Sequence, residues 1–139
     1  MIRFLAGEKG LGKTKKLIEM ANNSAKTTDG DLVFIENDRR HIYDLHYNIR
    51  FVETNGFPLS NYREFVGFLC GILSQNNDIK EIFVDGLNKI IKTLDNDGLD
   101  KLVPKLEKLS SEHEVDFIIS INCQVADLPE AVKPLLISD

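Results

Sequence analysis

Five short apolar runs punctuate the chain, and each of them predicts a β-strand. Their residues are mostly apolar in succession rather than alternately apolar and polar, which is typical of parallel strands covered on both faces. The runs are IRFLA at 2–6, LVFIE at 32–36, IRFVE at 49–53, EIFVD at 81–85 and VDFIISIN at 115–122. The segment LLI at 135–137 is a candidate edge strand in addition.

Apolar residues recur at helical spacing between these runs. The segments with this spacing are 17–25, 62–73, 87–94 and 102–109. Asn61 and Glu64 have the spacing of a capping box before the second of them. Pro104 is expected in the first turn of the last helix or at its start. Alternating strands and helices predict an α/β fold, a three-layer α/β/α sandwich around a mainly parallel five-stranded sheet.

Composition limits the classes of function. A chain of 139 residues with 42% hydrophobic residues is long enough for one buried core, so we expect one domain over 1–139. A net charge of -5 argues against a dedicated nucleic-acid surface, because neutralisation of phosphates requires clustered Lys and Arg. Cys70 and Cys123 have no partners at metal-ligand spacing. No apolar run reaches the roughly 18 residues that cross a bilayer, which predicts a cytoplasmic protein without membrane insertion.

The segment GEKGLGKT, residues 7–14, is the most specific chemical signal in the chain. It matches G-x-x-x-x-G-K-[ST], the P-loop or Walker A pattern, at Gly7, Gly12, Lys13 and Thr14. With Gly at about 7% of residues, a chance match in such a chain has a probability of roughly half a percent. The segment also follows a predicted strand and precedes a predicted helix, so unpaired amides and the helix dipole would face an anion. It therefore predicts a phosphate-binding loop.

Asp85 supplies the second half of a nucleotide site. It ends the apolar run IFV, the arrangement called Walker B, and a carboxylate there can serve a Mg²⁺ ion bound beside the phosphates. Taken alone, Asp85 would rather be a helix N-cap, but the phosphate loop favours the metal role. Gly86 follows it and cannot orient water, so a catalytic base must come from elsewhere.

Taken together, these segments resemble the RecA-like branch of the P-loop NTPases, the RecA-like (ASCE) ATPase core. FIENDRRHIYDL resembles the strand of that family that ends in its catalytic acid, and SINCQV resembles its polar sensor segment. IRFVETNGFPLSNYREFVGFLCGIL followed by EIFVDGLNKI resembles its succession of strand, helix and Walker B strand. The likeness in layout covers most of the chain, although the chain lacks the extra strands and DNA-binding loops of recombinases.

The resemblance assigns roles to individual residues. Asp38, or failing it Glu36, is implied as the catalytic acid near the γ-phosphate, and Asn122 or Gln124 as the sensor. Thr14 and Asp85 would hold Mg²⁺. The expected nucleotide-binding residues are Gly7, Lys9, Gly10, Gly12, Lys13, Thr14 and Lys15. Lysines concentrated around the loop favour a triphosphate over an uncharged ligand.

The leading functional hypothesis is a protein that binds ATP, or GTP, and hydrolyses it slowly with Mg²⁺. It would act with a protein partner or as a homo-oligomer. One alternative is a nucleotide-dependent switch or accessory subunit that does not hydrolyse; another is a small-molecule kinase. Arg39 and Arg40 are either a solvated basic pair or arginine fingers for a neighbouring subunit. His41 is a further candidate because it lies close to Asp38 in sequence.

Overall fold

The computed structural model describes residues 1–10 and 12–137. All five predicted strands are present, with ends within two residues of the apolar runs. They are β1 (Ile2–Gly7), β2 (Asp31–Glu36), β3 (Ile49–Glu53), β4 (Ile79–Asp85) and β5 (Asp116–Asn122). The described residues thus confirm the strand pattern that the sequence predicts.

Among the described residues, four α-helices and a 3-10 turn at Ile42–Asp44 connect the strands, and two further 3-10 turns, Val125–Asp127 and Lys133–Leu135, follow β5. The helices are α1 (Lys13–Thr27), α2 (Tyr62–Ser74), α3 (Leu87–Ile90) and α4 (Asn96–His113). The predicted cap of α2 is present, since the Asn61 side chain accepts a hydrogen bond from the Glu64 amide at 3.0 Å. The Glu64 carboxylate accepts in turn from the amide of Ser60 at 2.5 Å.

The strands form one sheet in the order β1-β5-β4-β2-β3, and every neighbouring pair is parallel. The strand β5 therefore lies between the strand that precedes the phosphate loop and the strand that ends in Asp85. Parallel neighbours need crossover connections. The helices α3 and α4 supply the one between β4 and β5, and residues 37–48, with the 3-10 turn at Ile42–Asp44, supply the one between β2 and β3. This arrangement confirms the α/β class and the parallel five-stranded sheet.

Helices cover both faces of the sheet, because alternate residues of each strand point to opposite sides. On one side, α1 packs through Leu17, Ile18 and Ala21 against strand residues such as Phe34 and Phe83. On the other side, α2, α3 and α4 pack on a larger cluster of strand residues. Strands buried on both faces explain why the apolar runs are nearly continuous. The result is the predicted three-layer sandwich.

Two helix predictions need correction. The segment 87–94 forms only one helical turn, α3, and a new helix begins after Asp95, whose carboxylate accepts a hydrogen bond from the Gly98 amide at 2.8 Å. Because that cap starts α4 early, Pro104 lies in the middle of the helix and not in its first turn. Pro104 is exposed, as is Asp100, so water can take the bond that the missing amide leaves at the Asp100 carbonyl.

The predicted edge strand at 135–137 is reduced to a single contact. Leu136 forms an isolated parallel bridge with Phe4, and the Ile137 amide donates to the Phe4 carbonyl at 2.9 Å. The residues just before this bridge, Lys133–Leu135, form a 3-10 turn that contains Pro134, so the described residues pair with β1 here only at the bridge.

Candidate functional site

The carboxyl ends of the parallel strands meet at one edge of the sheet, where ligands of open α/β sheets usually bind. In the registers of the sheet, Gly7 at the end of β1 lies beside Asn122 at the end of β5. Glu36 at the end of β2 lies beside Asp85 at the end of β4. The topology therefore brings the phosphate loop, Asp85 and Glu36 to the same edge.

Strand alternation decides which of these side chains face α1. Phe34 and Phe83 belong to the core under α1, and the side chains two positions further along β2 and β4 are Glu36 and Asp85. The period of two therefore places both carboxylates on the face where α1 begins. Ser120 follows the same rule in β5, two positions after Ile118.

The predicted phosphate loop, residues 7–14, lies between β1 and α1, as its flanking segments indicate, with residue 11 outside the described residues. Gly10 and Gly12 have φ angles of 94° and 80°, in the left-handed region that favours glycine. Gly12 is the N-cap of α1, and no side chain caps this end of the helix. The first-turn amides are therefore not taken by a capping side chain, as anion binding requires.

Lys13 opens α1, and its Nζ donates a hydrogen bond to the Glu8 carbonyl at 2.6 Å. Partial burial lowers the pKa of Lys13 from its usual value. The carboxylate of Asp85 opposes this shift, and the nearby ammonium of Lys89 adds to it. The lysine of the loop thus lies within electrostatic reach of both groups.

Thr14 and Asp85 are in direct contact. The Thr14 Oγ1 lies 3.1 Å from Oδ1 and 3.2 Å from Oδ2 of Asp85. The Ser120 hydroxyl donates to Asp85 Oδ1 at 2.9 Å and accepts from the Gly86 amide at 2.8 Å. Asp85 is buried, so these bonds fix the orientation of its carboxylate beside the start of α1.

Glu36 is a buried carboxylate, 6% exposed, beside Asp85 at the end of the neighbouring strand. Its Oε2 lies 2.7 Å from His41 Nδ1, while Oε1 is buried without a hydrogen-bond partner. Burial raises the pKa of Glu36 to about 7, with Asp85 contributing and the hydrogen bond of His41 opposing. Ligand atoms of Glu36, His41 and Asp85 all lie within 4.8 Å of one another, which is close enough to surround a cation.

A cavity of about 300 Å³ lies over these groups. Its walls come from the phosphate loop, the ends of β4 and β5, and the segment after β2. Four cationic side chains line it, namely Lys9, Lys13, Arg40 and Lys89. Asp85 is the carboxylate in this lining. Although the chain carries a net charge of -5, the cavity wall is rich in positive charge, which suits a polyphosphate.

The structure places the other predicted site residues less centrally. Asp38 is partly exposed and forms a two-bond ion pair with Arg40, with Oδ1 3.1 Å from Nε and Oδ2 2.9 Å from the guanidinium Nη2. The pKa of Asp38 is lowered by this pairing. Gln124 donates to the Glu8 side chain, whereas Asn122 lines the cavity. Lys15 is exposed on the first turn of α1.

Some residues of the site were not singled out from sequence. Ser120 orients Asp85, and its signal was a polar residue within an apolar run at the position that alternation places on the α1 face. Lys89 lines the cavity from α3, and only the fold brings it there. The contact between His41 and Glu36 depends on the turn after β2, which has no sequence motif. Arg39 does not line the cavity; its Nε lies 3.6 Å from Oε1 of Glu53.

A larger cavity, of about 580 Å³, opens at the opposite edge of the sheet. It lies between the amino-terminal ends of β2 and β4, strand β3 and the end of α2. Its charged groups include Arg50, which pairs with Asp31 at 3.4 Å. None of the described residues of 7–14 lines it, so size alone does not make it the better candidate. Among the described residues, no helix is long and apolar enough to span a membrane.

Comparison with known proteins supports the fold. No family model matches the sequence, and no curated protein does. Among solved structures, the chain is similar to a KaiC-like protein from the hyperthermophilic archaeon Pyrococcus horikoshii, with a TM-score of 0.67 and 17% identity. The match covers 96% of this chain and 66% of that protein, so the chain spans just under two thirds of its length. The chain therefore shares the α/β/α fold of that KaiC-like protein.

Proposed function

We propose that this protein binds ATP, or another nucleoside triphosphate, with Mg²⁺ and hydrolyses it slowly. The observation that carries this proposal is the contact of Thr14 with Asp85 beside an uncapped, glycine-led helix start. A structural glycine turn would require neither a buried carboxylate at the hydroxyl of Thr14 nor a lysine-rich cavity. The phosphates would lie on the first-turn amides of α1 and against Lys13.

The residues present fit a magnesium ion. Thr14 Oγ1 and the carboxylate of Asp85 are hard oxygen donors, which Mg²⁺ prefers, and the unpartnered Oε1 of Glu36 lies in the same group of side chains. Thr14 and Asp85 would hold the ion, and Ser120 would keep Asp85 in position. When bound, Mg²⁺ supplies neutralisation of the phosphate charge.

Glu36 is the better candidate for the residue that orients the attacking water. A general base works best with a pKa near the working pH, and burial raises the pKa of Glu36 to about 7. Among the described residues its Oε1 has no hydrogen-bond partner, so this oxygen is the one left to accept a bond from the attacking water, while His41 contacts Oε2. Asp38 remains the alternative, but its carboxylate is engaged with Arg40 on the exposed side.

A protein partner or a second copy of the chain is part of this proposal. Tyr43 and Tyr47, 97% and 88% exposed, lie on the segment that follows Glu36 and His41. Exposed tyrosines are enriched in protein interfaces, so a partner that binds them could alter the position of His41 and hence of Glu36. In the absence of that partner, we expect slow basal turnover.

Phosphate release from Mg-ATP tests the proposal in wild type, Glu36→Gln and Asp38→Asn. We expect Glu36→Gln to lower turnover by about 100-fold or more, the range for loss of a general base. Asp38→Asn should change turnover by less than about threefold, because an exposed ion pair contributes little. The reverse ranking would make Asp38 the catalytic acid.

Nucleotide binding without phosphate release would favour the second hypothesis, a switch. The bond between His41 and Glu36 favours this reading, because it restrains the proposed base. His41→Ala distinguishes the two: faster turnover in this variant would indicate that His41 restrains Glu36, and unchanged turnover would remove the support for a switch.

A further inference from the structure

Lys89 lies on the short helix α3, directly beyond the end of β4. Gly86 between them has a φ of 73°, in the left-handed region, and turns the chain at the edge of the sheet. A Cβ built at Gly86 would lie 3.5 Å from the Lys89 Cδ, so the lysine side chain lies alongside this turn. Lys89 therefore reaches the cavity from the side of Asp85.

The backbone that carries Lys89 is fixed to the sheet. The neighbouring Asn88 side chain donates to the Asn122 carbonyl at 2.8 Å and accepts from the Asn122 amide at 3.1 Å. Leu87 and Ile90 are buried on either side. Ordering the charge of Lys89 on a ligand would consequently cost the entropy of its side chain but none from the main chain.

The charge of Lys89 is not neutralised by a neighbour. Its side chain is exposed to the cavity, and within residues 1–10 and 12–137 it forms no ion pair of 4.0 Å or less. Burial is the main cause of the lowered pKa of Lys13, and the carboxylate of Asp85 opposes it. The ammonium of Lys89 is a further cause that lowers this pKa. Two ammonium groups that repel each other across one cavity favour an anion between them.

We propose that Lys89 binds the terminal phosphate of a nucleoside triphosphate and thereby makes the site prefer triphosphate over diphosphate. This inference rests on the proposed function. Phosphoryl-transfer sites hold the metal between the last two phosphates, and Thr14 and Asp85 mark that place here. Lys89 lines the same cavity from α3, which follows Asp85 in the chain. Lys13 and the loop amides serve the inner phosphates, and Lys89 serves the outermost one.

Calorimetric titration with Mg-ATP and Mg-ADP tests the assignment. Lys89→Gln should weaken ATP about tenfold and ADP less than about threefold, because only ATP carries the phosphate that loses a charged donor. Lys89→Arg should retain most of the preference. Lys92→Gln is the matched control, since Lys92 is exposed on the same segment but lines a different cavity.

Equal weakening of both nucleotides by Lys89→Gln, or no weakening of either, would overturn the assignment while leaving the proposed function intact. A comparable loss of ATP affinity in Lys92→Gln would also overturn it, because the effect would then be one of general charge. Wild type that binds neither nucleotide would overturn the proposed function and this inference with it. Both substituted lysines are exposed, so the variants should fold, and circular dichroism checks this.

Discussion

The amino termini of α1 and α4 show two different uses of the same backbone groups. At α4, the carboxylate of Asp95 accepts from the Gly98 amide at 2.8 Å, and Asp97 adds negative charge to the first turn. At α1, Gly12 offers no side chain, and the first turn has no acidic residue. The chain thus caps α4 itself, while the amides and the positive dipole end of α1 are left for an anion.

The contrast separates stability from binding. A capped helix start stabilises the fold whatever ligand is present, whereas an uncapped start with lysines around it is less favourable until a counter-charge arrives. Substitutions at α4 should therefore change unfolding and not affinity. Substitutions at α1 should do the opposite.

Among substitutions that leave the net charge of the chain unchanged, the largest effect on binding is expected where α1 meets the proposed metal site. Thr14→Ala removes the hydroxyl that contacts Asp85, and we expect it to weaken Mg-ATP binding at least about tenfold, the usual loss when groups around a metal are removed. The same titration in excess chelator is the control, because wild type and variant should then bind nucleotide alike. A difference that persists without metal would place Thr14 on the phosphates instead.

Much of the fold could be predicted from sequence, because its signals are local. The apolar runs gave the strands, and the glycine pattern of 7–14 with its flanks predicted the loop between β1 and α1. The prediction that Pro104 lies in the first turn of α4 was wrong, because the N-cap at Asp95 starts the helix several residues earlier. The sequence signal for that start was Asp95 followed three residues later by Gly98, whose amide it caps.

The site was less predictable, because its chemistry depends on which strands become neighbours. Sequence left Asp38 and Glu36 as alternatives, and the alternation of β2 is what turns Glu36 toward Asp85. Ser120 and Lys89 reach the cavity only through the position of β5 beside β4. The roles of Glu36, Asp38 and Gln124 remain predictions.

A second prediction concerns the effect of pH on the free energy of unfolding, through the buried carboxylate of Glu36 at the carboxyl edge of the sheet. Folding raises the pKa of Glu36 from 4.5 to about 7, so its contribution to stability is fully present below pH 4.5 and is lost as the pH rises through about 7. Glu36→Gln should thus raise the free energy of unfolding at pH 8, by about 1–2 kcal/mol after allowance for water in the cavity, and change it little at pH 4.5.

Thermal unfolding at both pH values measures this effect, with Glu107→Gln on the exposed face of α4 as the control. A variant at Glu36 that is destabilised at pH 8 and less so at pH 4.5 would show instead that the carboxylate stabilises the fold in its ionised form.

The smallest effect is expected at α4. Asp95→Ala removes the cap, and we expect it to lower the free energy of unfolding by about 1 kcal/mol, the typical value for an N-cap. Denaturant unfolding measures this change, and Asn61→Ala at α2 should behave in the same way. Loss of nucleotide affinity in either variant would contradict the claim that capped helix starts affect stability and not binding.

The most direct test of the account is a calorimetric titration of Mg-ATP into wild type, Lys13→Ala and Lys26→Ala. Lys13 and Lys26 lie at opposite ends of α1, in its first and last turns. Each substitution therefore removes one lysine charge from the same helix, and the two differ in which end loses it. We predict that wild type and Lys26→Ala bind alike, and that Lys13→Ala weakens binding by about 100-fold, as expected when a desolvated charge pair is broken. Equal affinity in Lys13→Ala and Lys26→Ala would contradict the claim that the start of α1 is a phosphate site.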